Sequence, residues 1–185
     1  MSNTRTMLAG CEGRPWAAQP GFTLIELMVT LAVVGILAAV AAPALTGMIA
    51  GNRLAGASGE MAASLQLARS EAIRRNARVT ICASEDGEEC ASSTDWSSWI
   101  VTGPDNAAAA GTPDEVIVAR LAEGSVQVTG PQNGIVFRPS GLIDAAANVT
   151  LCAPTSALEE NQRDITVMIS GNITTTRSAG GAECD

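Results

Sequence analysis

The 185-residue chain predicts an α+β fold, a long N-terminal helix packed on a C-terminal antiparallel β-sheet or sandwich. Three observations carry this. Residues 27–52 contain no charged side chain and are mostly apolar. An apolar repeat at three- and four-residue spacing follows them. From residue 77 onward the period falls to two, β-formers take over, and turn residues divide the chain into short runs.

A bilayer asks for about 20 apolar residues in helix. The stretch from Leu27 to Leu45 meets that length, with the membrane-spanning part expected at about 27–47. A cleaved secretory signal would have a shorter apolar core, about 7–15 residues, before a small-residue cut site. Glu26 does not fit a plain span. A carboxylate at mid-membrane costs roughly 2.5–3.5 kcal/mol on insertion scales, and less near the surface, so it is retained where something pairs with it. The polar leader, residues 1–21, carries Arg5 and Arg14 against Glu12, which is a cytoplasmic-side signature.

The run Gly21-Phe22-Thr23-Leu24-Ile25-Glu26-Leu27 resembles the cleavage site of type IV pilins and type II secretion pseudopilins. The resemblance implies cutting between Gly21 and Phe22 by a prepilin peptidase on the cytoplasmic face. It implies N-methylation of the new Phe22 amine and retention of the apolar helix in the inner membrane, with the rest of the chain in the periplasm. It also implies that Glu26 pairs with the methylated amino terminus of a neighbouring subunit, which suits a buried charge that needs a partner. Pro43 stands where family members commonly carry a helix-kinking proline. The leader is longer than many, and Met7 is an alternative start to Met1.

Pro43 lacks an N–H and is expected to bend the helix rather than end it. Gly47, Gly51, Gly56 and Gly59 follow, each costing roughly 1 kcal/mol of helix stability relative to Ala. They predict either a weak section or a groove for close packing. Leu54, Ser58, Met61, Leu65, Ala68 and Ala72 then mark one buried helical face, and Glu71 and Arg75 stand at i,i+4 spacing. A helix over residues 22–76 would measure about 80 Å. Short strands are expected at 78–83, 98–101, 115–119, 125–129, 134–138, 148–152 and 164–170, with an eighth at 173–176. Residues 107–113 and 179–182 read as loop or tail. The expected organisation is a leader at 1–21, a helix at 22–76 and a β-rich domain at 77–185.

The helix-to-strand junction, Ser64 through Cys82 (SLQLARSEAIRRNARVTIC), resembles the GspH/FimT group of minor pseudopilins and minor pilins. The Trp-containing segment 96–101, Val136-Phe137-Arg138-Pro139-Ser140-Gly141 and a strand running to Gly171 agree in type. The clustered Arg69, Arg74, Arg75 and Arg78 read as a solvated helix end on the negative pole of the helix dipole. Loss of the leader removes Cys11 and leaves Cys82, Cys90, Cys152 and Cys184. An even number in an oxidising compartment reads as two disulfides. Three pairings are open. The expected one is Cys82–Cys90, closing a short acidic loop, with Cys152–Cys184, tying down the tail.

Composition narrows the function. Histidine and lysine are both absent, and all 11 basic residues are Arg. That removes His acid/base chemistry and Lys nucleophiles, and no catalytic triad or carboxylate pair stands out. No enzyme activity, cofactor or metal site is expected. Asp86, Glu88 and Glu89 could form a Ca²⁺-type oxygen cluster, but a solvated acidic loop is the plainer reading. The resemblance implies a minor pilin or pseudopilin, a structural subunit of a pilus-like fibre in type II protein secretion or type IV pilus biogenesis. Its expected partners are other pilin subunits through the N-terminal helix, the prepilin peptidase/methyltransferase and the inner membrane. The alternative is a DNA-binding minor pilin for natural transformation. The Gly-Arg-x-Arg motif of such proteins is replaced here by Gly171-Asn172-Ile173-Thr174, and residues 79–185 carry a net charge of −11, which opposes phosphate binding. A membrane-tethered periplasmic enzyme is the third and weakest reading.

Overall fold

A computed structural model describes residues 21–105, 114–122 and 124–184. The leader up to residue 20 and the loop expected at 107–113 lie outside the described residues. Helix α1 runs from Leu24 to Arg75. By internal contacts the chain divides between Val40 and Ala41, so the helix contributes to both units, and the two parts are taken separately.

In the second unit, Leu54, Met61, Leu65, Ala68 and Ala72 are fully buried and Ser58 nearly so. This apolar face holds the helix to the β-domain. The helix ends because Asn76 adopts φ 51°. The N–H of Asn76 then donates to the Ile73 carbonyl at 3.3 Å and that of Ala77 to the Ala72 carbonyl at 3.2 Å. This paired C-cap satisfies the last carbonyls and turns the chain directly into the first strand. The glycines do not interrupt the helix. A Cβ on Gly47 would stand 3.0 Å from the Ala157 carbonyl oxygen, and one on Gly51 3.6 Å from the Leu158 side chain. These two are close-packing positions, whereas Gly56 and Gly59 face open space. The bend expected at Pro43 falls on residues 42–44, whose side chains lie outside those described.

Eight strands follow: β1 (Val79–Ala83), β2 (Ser98–Gly103), β3 (Glu115–Leu121), β4 (Gln127–Thr129), β5 (Ile135–Phe137), β6 (Ala147–Cys152), β7 (Gln162–Val167) and β8 (Ile173–Ser178). They form two four-stranded antiparallel sheets, ordered β3-β2-β1-β5 and β4-β6-β7-β8. The register shifts between Val101 and Thr102, where β3 carries one extra residue, Ile117. Single bridges, Asp95 to Thr129 and Phe137 to Ile143, link the sheet margins. One core of helix and strand residues joins them, centred on Trp96, Trp99, Phe137, Leu65 and Ile165.

Several strand ends differ from the periodicity. The seventh strand starts two residues earlier than expected and stops at Val167, because 168–171 form a turn closed by the Gly171 N–H on the Met168 carbonyl at 2.7 Å. Ser125 and Val126 stand outside β4 although Val126 is buried. The tail at 179–182 is no loose end. Buried Asn161 accepts the Gly180 N–H at 2.8 Å, and its own amide donates to the Ala153 carbonyl at 2.9 Å and to the Gly181 carbonyl.

Disulfides join Cys82 to Cys90 and Cys152 to Cys184, closing loops of 8 and 32 residues' separation. In the chain-entropy picture such links stabilise by about 2–4 kcal/mol, more for the longer loop.

Candidate assembly helix and processing site

The helix begins at a cap that the apolar periodicity does not show. The Thr23 hydroxyl accepts the N–H of Glu26 at 3.3 Å, and the Thr23 carbonyl accepts that of Leu27 at 3.2 Å. Thr23 is therefore the N-cap and Glu26 the third helical residue, the Thr-x-x-Glu spacing of a capping box. That spacing is the signal by which the sequence could have revealed it. A carboxylate in the first turn also faces the positive end of the helix dipole. Gly21 and Phe22 precede the helix as non-helical chain, and Phe22 is 84 % exposed. The Gly21–Phe22 peptide bond thus lies outside the hydrogen-bonded helix.

Every residue from 21 to 41 is exposed, on all faces of the helix. Leu24, Leu31, Ile36 and Val40 are each more than 60 % exposed. An all-round apolar helix has a stable setting in lipid or among other apolar helices, and not in water. The stretch is long and apolar enough to cross a membrane, and none of it is buried within the chain. Glu26 is the one acidic group on its first turn.

In the β-domain the basic residues at the helix end divide by role. Glu71 accepts both Arg74, through Nε at 3.0 Å and a second short contact, and Arg75, through Nε at 2.8 Å. Arg75 also donates to the Pro104 carbonyl at 2.8 Å and meets Glu115 at 3.2 Å. It is a structural tie with an only 10 % exposed side chain, whereas Arg74 is mostly solvated. A uniformly solvated Arg cluster was the expectation, and Arg75 and Arg69 depart from it because the loops carrying Pro104 and Ser170 close over them. The hydrogen bonds from Arg74 and Arg75 hold the Glu71 carboxyl at about 2, well below its usual value of 4.5. A group with a depressed folded-state pKa contributes stability that is full above its unfolded value and is lost as pH falls through the folded one. The stability of the full chain in detergent micelles should therefore fall from about pH 4.5 down to 2, and Glu71→Gln should flatten that part of the profile.

The acidic loop is built around a turn. Asp86 accepts the N–H of Glu88 at 2.8 Å and of Glu89 at 3.0 Å, and these bonds hold its carboxyl below the ordinary value. Its carboxylate is thereby committed to its own backbone. Among the described residues no group of three or more His, Cys, Asp or Glu could hold a metal ion. On the second sheet, burial works against the charge of Asp164. Donors from Ser178 at 2.6 Å, Gln162 at 2.9 Å and Thr150 at 3.1 Å outweigh it, and the carboxyl stays below its usual value.

Residues 57–172 match the family described as type II transport protein GspH. The chain belongs to the GspH family. Residues 16–42 match the prokaryotic N-terminal methylation motif, which covers Gly21, Phe22 and Glu26. A 46-residue stretch of the chain is 54 % identical to the type IV major alpha-pilin of Moraxella bovis, and one of the same length is 52 % identical to fimbrial protein Q of that organism. Each match covers 25 % of this chain and 29 % of the relative, so the chain spans under a third of the length of the curated relatives it matches. The structure of the type IV minor pilin FimU of Pseudomonas aeruginosa superimposes with a TM-score of 0.53 at 18 % identity, covering 72 % of this chain and 96 % of that one. The fold is thus that of a type IV minor pilin: a long N-terminal apolar helix followed by antiparallel sheets.

Proposed function

We propose that this chain is a minor subunit of a pilus-like fibre, serving type II protein secretion or type IV pilus biogenesis. The observation that carries the reading is a single helix with two opposite surfaces. Residues 54–72 bury one face in the β-domain, whereas residues 24–40 expose apolar side chains all round. Such a rod serves as a membrane anchor before assembly and as a packing element afterwards. On this reading the prepilin peptidase cuts between Gly21 and Phe22 and the Phe22 amine is methylated. The helix is held in the inner membrane with the β-domain in the periplasm. Glu26 pairs with the amino terminus of an adjacent pilin-type subunit, and Pro43 bends the rod. The chain acts by assembly and carries no catalytic step of its own.

Mass spectrometry of the protein extracted from its native membranes tests the processing. The expected product begins at Phe22, carries one added methyl group and retains the helix. A product that still begins at Met1 or Met7, or one trimmed beyond the helix and released, overturns the reading.

A further inference from the structure

An uncovered edge strand presents a row of unpaired N–H and C=O groups to any other chain, so a soluble sheet has to blunt its edges. Strands β4 and β5 are three residues each, and single bridges, Asp95 to Thr129 and Phe137 to Ile143, cover them. Strand β3 carries the extra residue Ile117, and Arg120 turns its Nη1 onto the carbonyl of its own neighbour Ala119 at 3.0 Å. Among the described residues, strand β8 has none of these devices. It keeps an unbroken register with β7, from Ile173 opposite Val167 to Ser178 opposite Gln162, and it contains no proline.

The alternation of the ladder sets which groups of β8 are free. Just beyond the strand ends, Met168 donates its N–H to the Asn172 carbonyl at 2.9 Å. Hydrogen-bonded and non-hydrogen-bonded positions alternate in an antiparallel pair. Thr174, Thr176 and Ser178 therefore bond to β7, while Ile173, Thr175 and Arg177 point their N–H and C=O outward. The side chains of these same three share a sheet face with Ile165 and Val167, which are buried. Thr175 and Arg177 are nonetheless exposed, because α1 does not cover β8. Gln66, Ser70 and Ile73 of α1 line an open cleft there with Asn172 and Ile173. Further along, Arg177 stands directly opposite Arg163, at a non-hydrogen-bonded position where side chains come closest. Like charges so placed repel, and burial together with the Arg177 charge pushes the Arg163 guanidinium below its ordinary pKa. Arg163 donates to the backbone carbonyls of Glu160 and Gln162, at 2.9 and 2.7 Å. Among the described residues neither arginine forms a salt bridge.

We propose that β8 takes an extended segment of a different pilin-type subunit as a fifth strand of the β4-β6-β7-β8 sheet, with a carboxylate of that segment over Arg177 and Arg163. The outward N–H and C=O groups of Ile173, Thr175 and Arg177 bind the added backbone, and the side chains beside them select it. The carboxylate offsets the repulsion between the two arginines and accepts charge-assisted hydrogen bonds from them. A second copy of this chain does not supply such a segment. Its own β8 has no acidic residue and brings further arginine, and its β3, which has Glu115, is broken by the extra Ile117. The added strand lies beside α1, the element through which subunits pack in the fibre-subunit reading, and the inference rests on that reading. A contact made to an unlike subunit also suits a minor component.

The test uses the full chain in its native host, with photoreactive benzoylphenylalanine in place of Thr174, an exposed strand residue. Irradiation should give an adduct, and mass spectrometry of the joined peptides should place it on an extended, acidic segment of another pilin-type subunit. The same probe at Ala119, exposed on the β3 edge, should not form it. Thr175→Pro removes an outward N–H and leaves the β7 ladder in place. It should lower the adduct about fivefold, and Thr175→Val should not. Arg177→Glu, at an exposed position, should lower it about tenfold, and replacing the mapped carboxylate of the partner by Arg should restore it. An adduct on a second, differently tagged copy of this chain, on a protein outside the pilin class or on nuclease-sensitive material overturns the proposal. So does an adduct indifferent to both Thr175→Pro and Arg177→Glu. Absence of an adduct from chains that are membrane-anchored and cut before Phe22 overturns this contact alone. Chains that are never cut there, or never enter the membrane, overturn the fibre-subunit reading instead.

Discussion

Glu26→Val should reduce incorporation into the fibre by roughly two to four orders of magnitude, the equivalent of about 3–5 kcal/mol for breaking a buried ion pair. Processing between Gly21 and Phe22 should continue and the β-domain should fold as before. The direction separates two roles of the carboxylate. As a membrane residue alone, Glu26 is a cost of roughly 2.5–3.5 kcal/mol at mid-bilayer, and Val relieves it. The anchored monomer should therefore be at least as abundant as the wild type. As a partner of the next subunit's amine, its loss leaves that cation unpaired in an apolar bundle. The Thr23 cap sharpens the comparison, since the Glu26 N–H donates to Thr23 whatever the side chain and the helix start survives the substitution. Quantifying the variant in sheared fibres against the membrane pool checks this. Incorporation at the wild-type level defeats the pairing role.

Trp99→Ala should cost the β-domain about 3–5 kcal/mol, the range for removing a fully buried aromatic side chain. Small domains hold only about 5–15 kcal/mol in total, so the variant should unfold at much lower denaturant or sit near its threshold. Trp99 is wholly buried between sheet and helix, and its indole N–H donates to the Ser64 hydroxyl at 3.0 Å. Ser64 in turn donates to the Glu60 carbonyl at 2.9 Å. Because Ser64 keeps that second bond, Trp99→Phe should cost less, about 1–2 kcal/mol. Urea unfolding of the full chain in micelles, followed by near-ultraviolet circular dichroism, reads both values. A loss under about 1 kcal/mol for Trp99→Ala would show that this contact does not hold the helix to the sheet.

The buried helical face was legible except for Ala57 and Ser64, which are buried beside it. Leu54, Ser58, Met61, Leu65, Ala68 and Ala72 repeat at helical spacing because only one side of the rod meets the strands. Strand centres were legible for the same reason, since Val149, Leu151, Ile165 and Val167 alternate with polar neighbours. Strand ends were not. Gln162 and Arg163 fall before the strand expected from residue 164, yet they pair with Cys152 and Leu151, and that register is set by the partner strand rather than by local preference.

The chemistry of the N-terminal run was written entirely in one dimension. An uninterrupted apolar rod, its single acid and the glycine before Phe22 are consecutive residues, and their spacing alone carries a membrane-length helix. What joins residues distant in the chain needed the fold. The Trp99–Ser64 bond spans 35 positions, and Arg69 reaches Ser170 across 101. Gly47 meets Ala157 and Asn161 meets Gly180 on the same terms. Periodicity records which side of an element is apolar, but it holds no information about which other element lies against that side. The close approach of Gly141 and Gly171 to Arg69, and the unmet guanidinium donor beneath them, exist only once both sheets have closed on the helix.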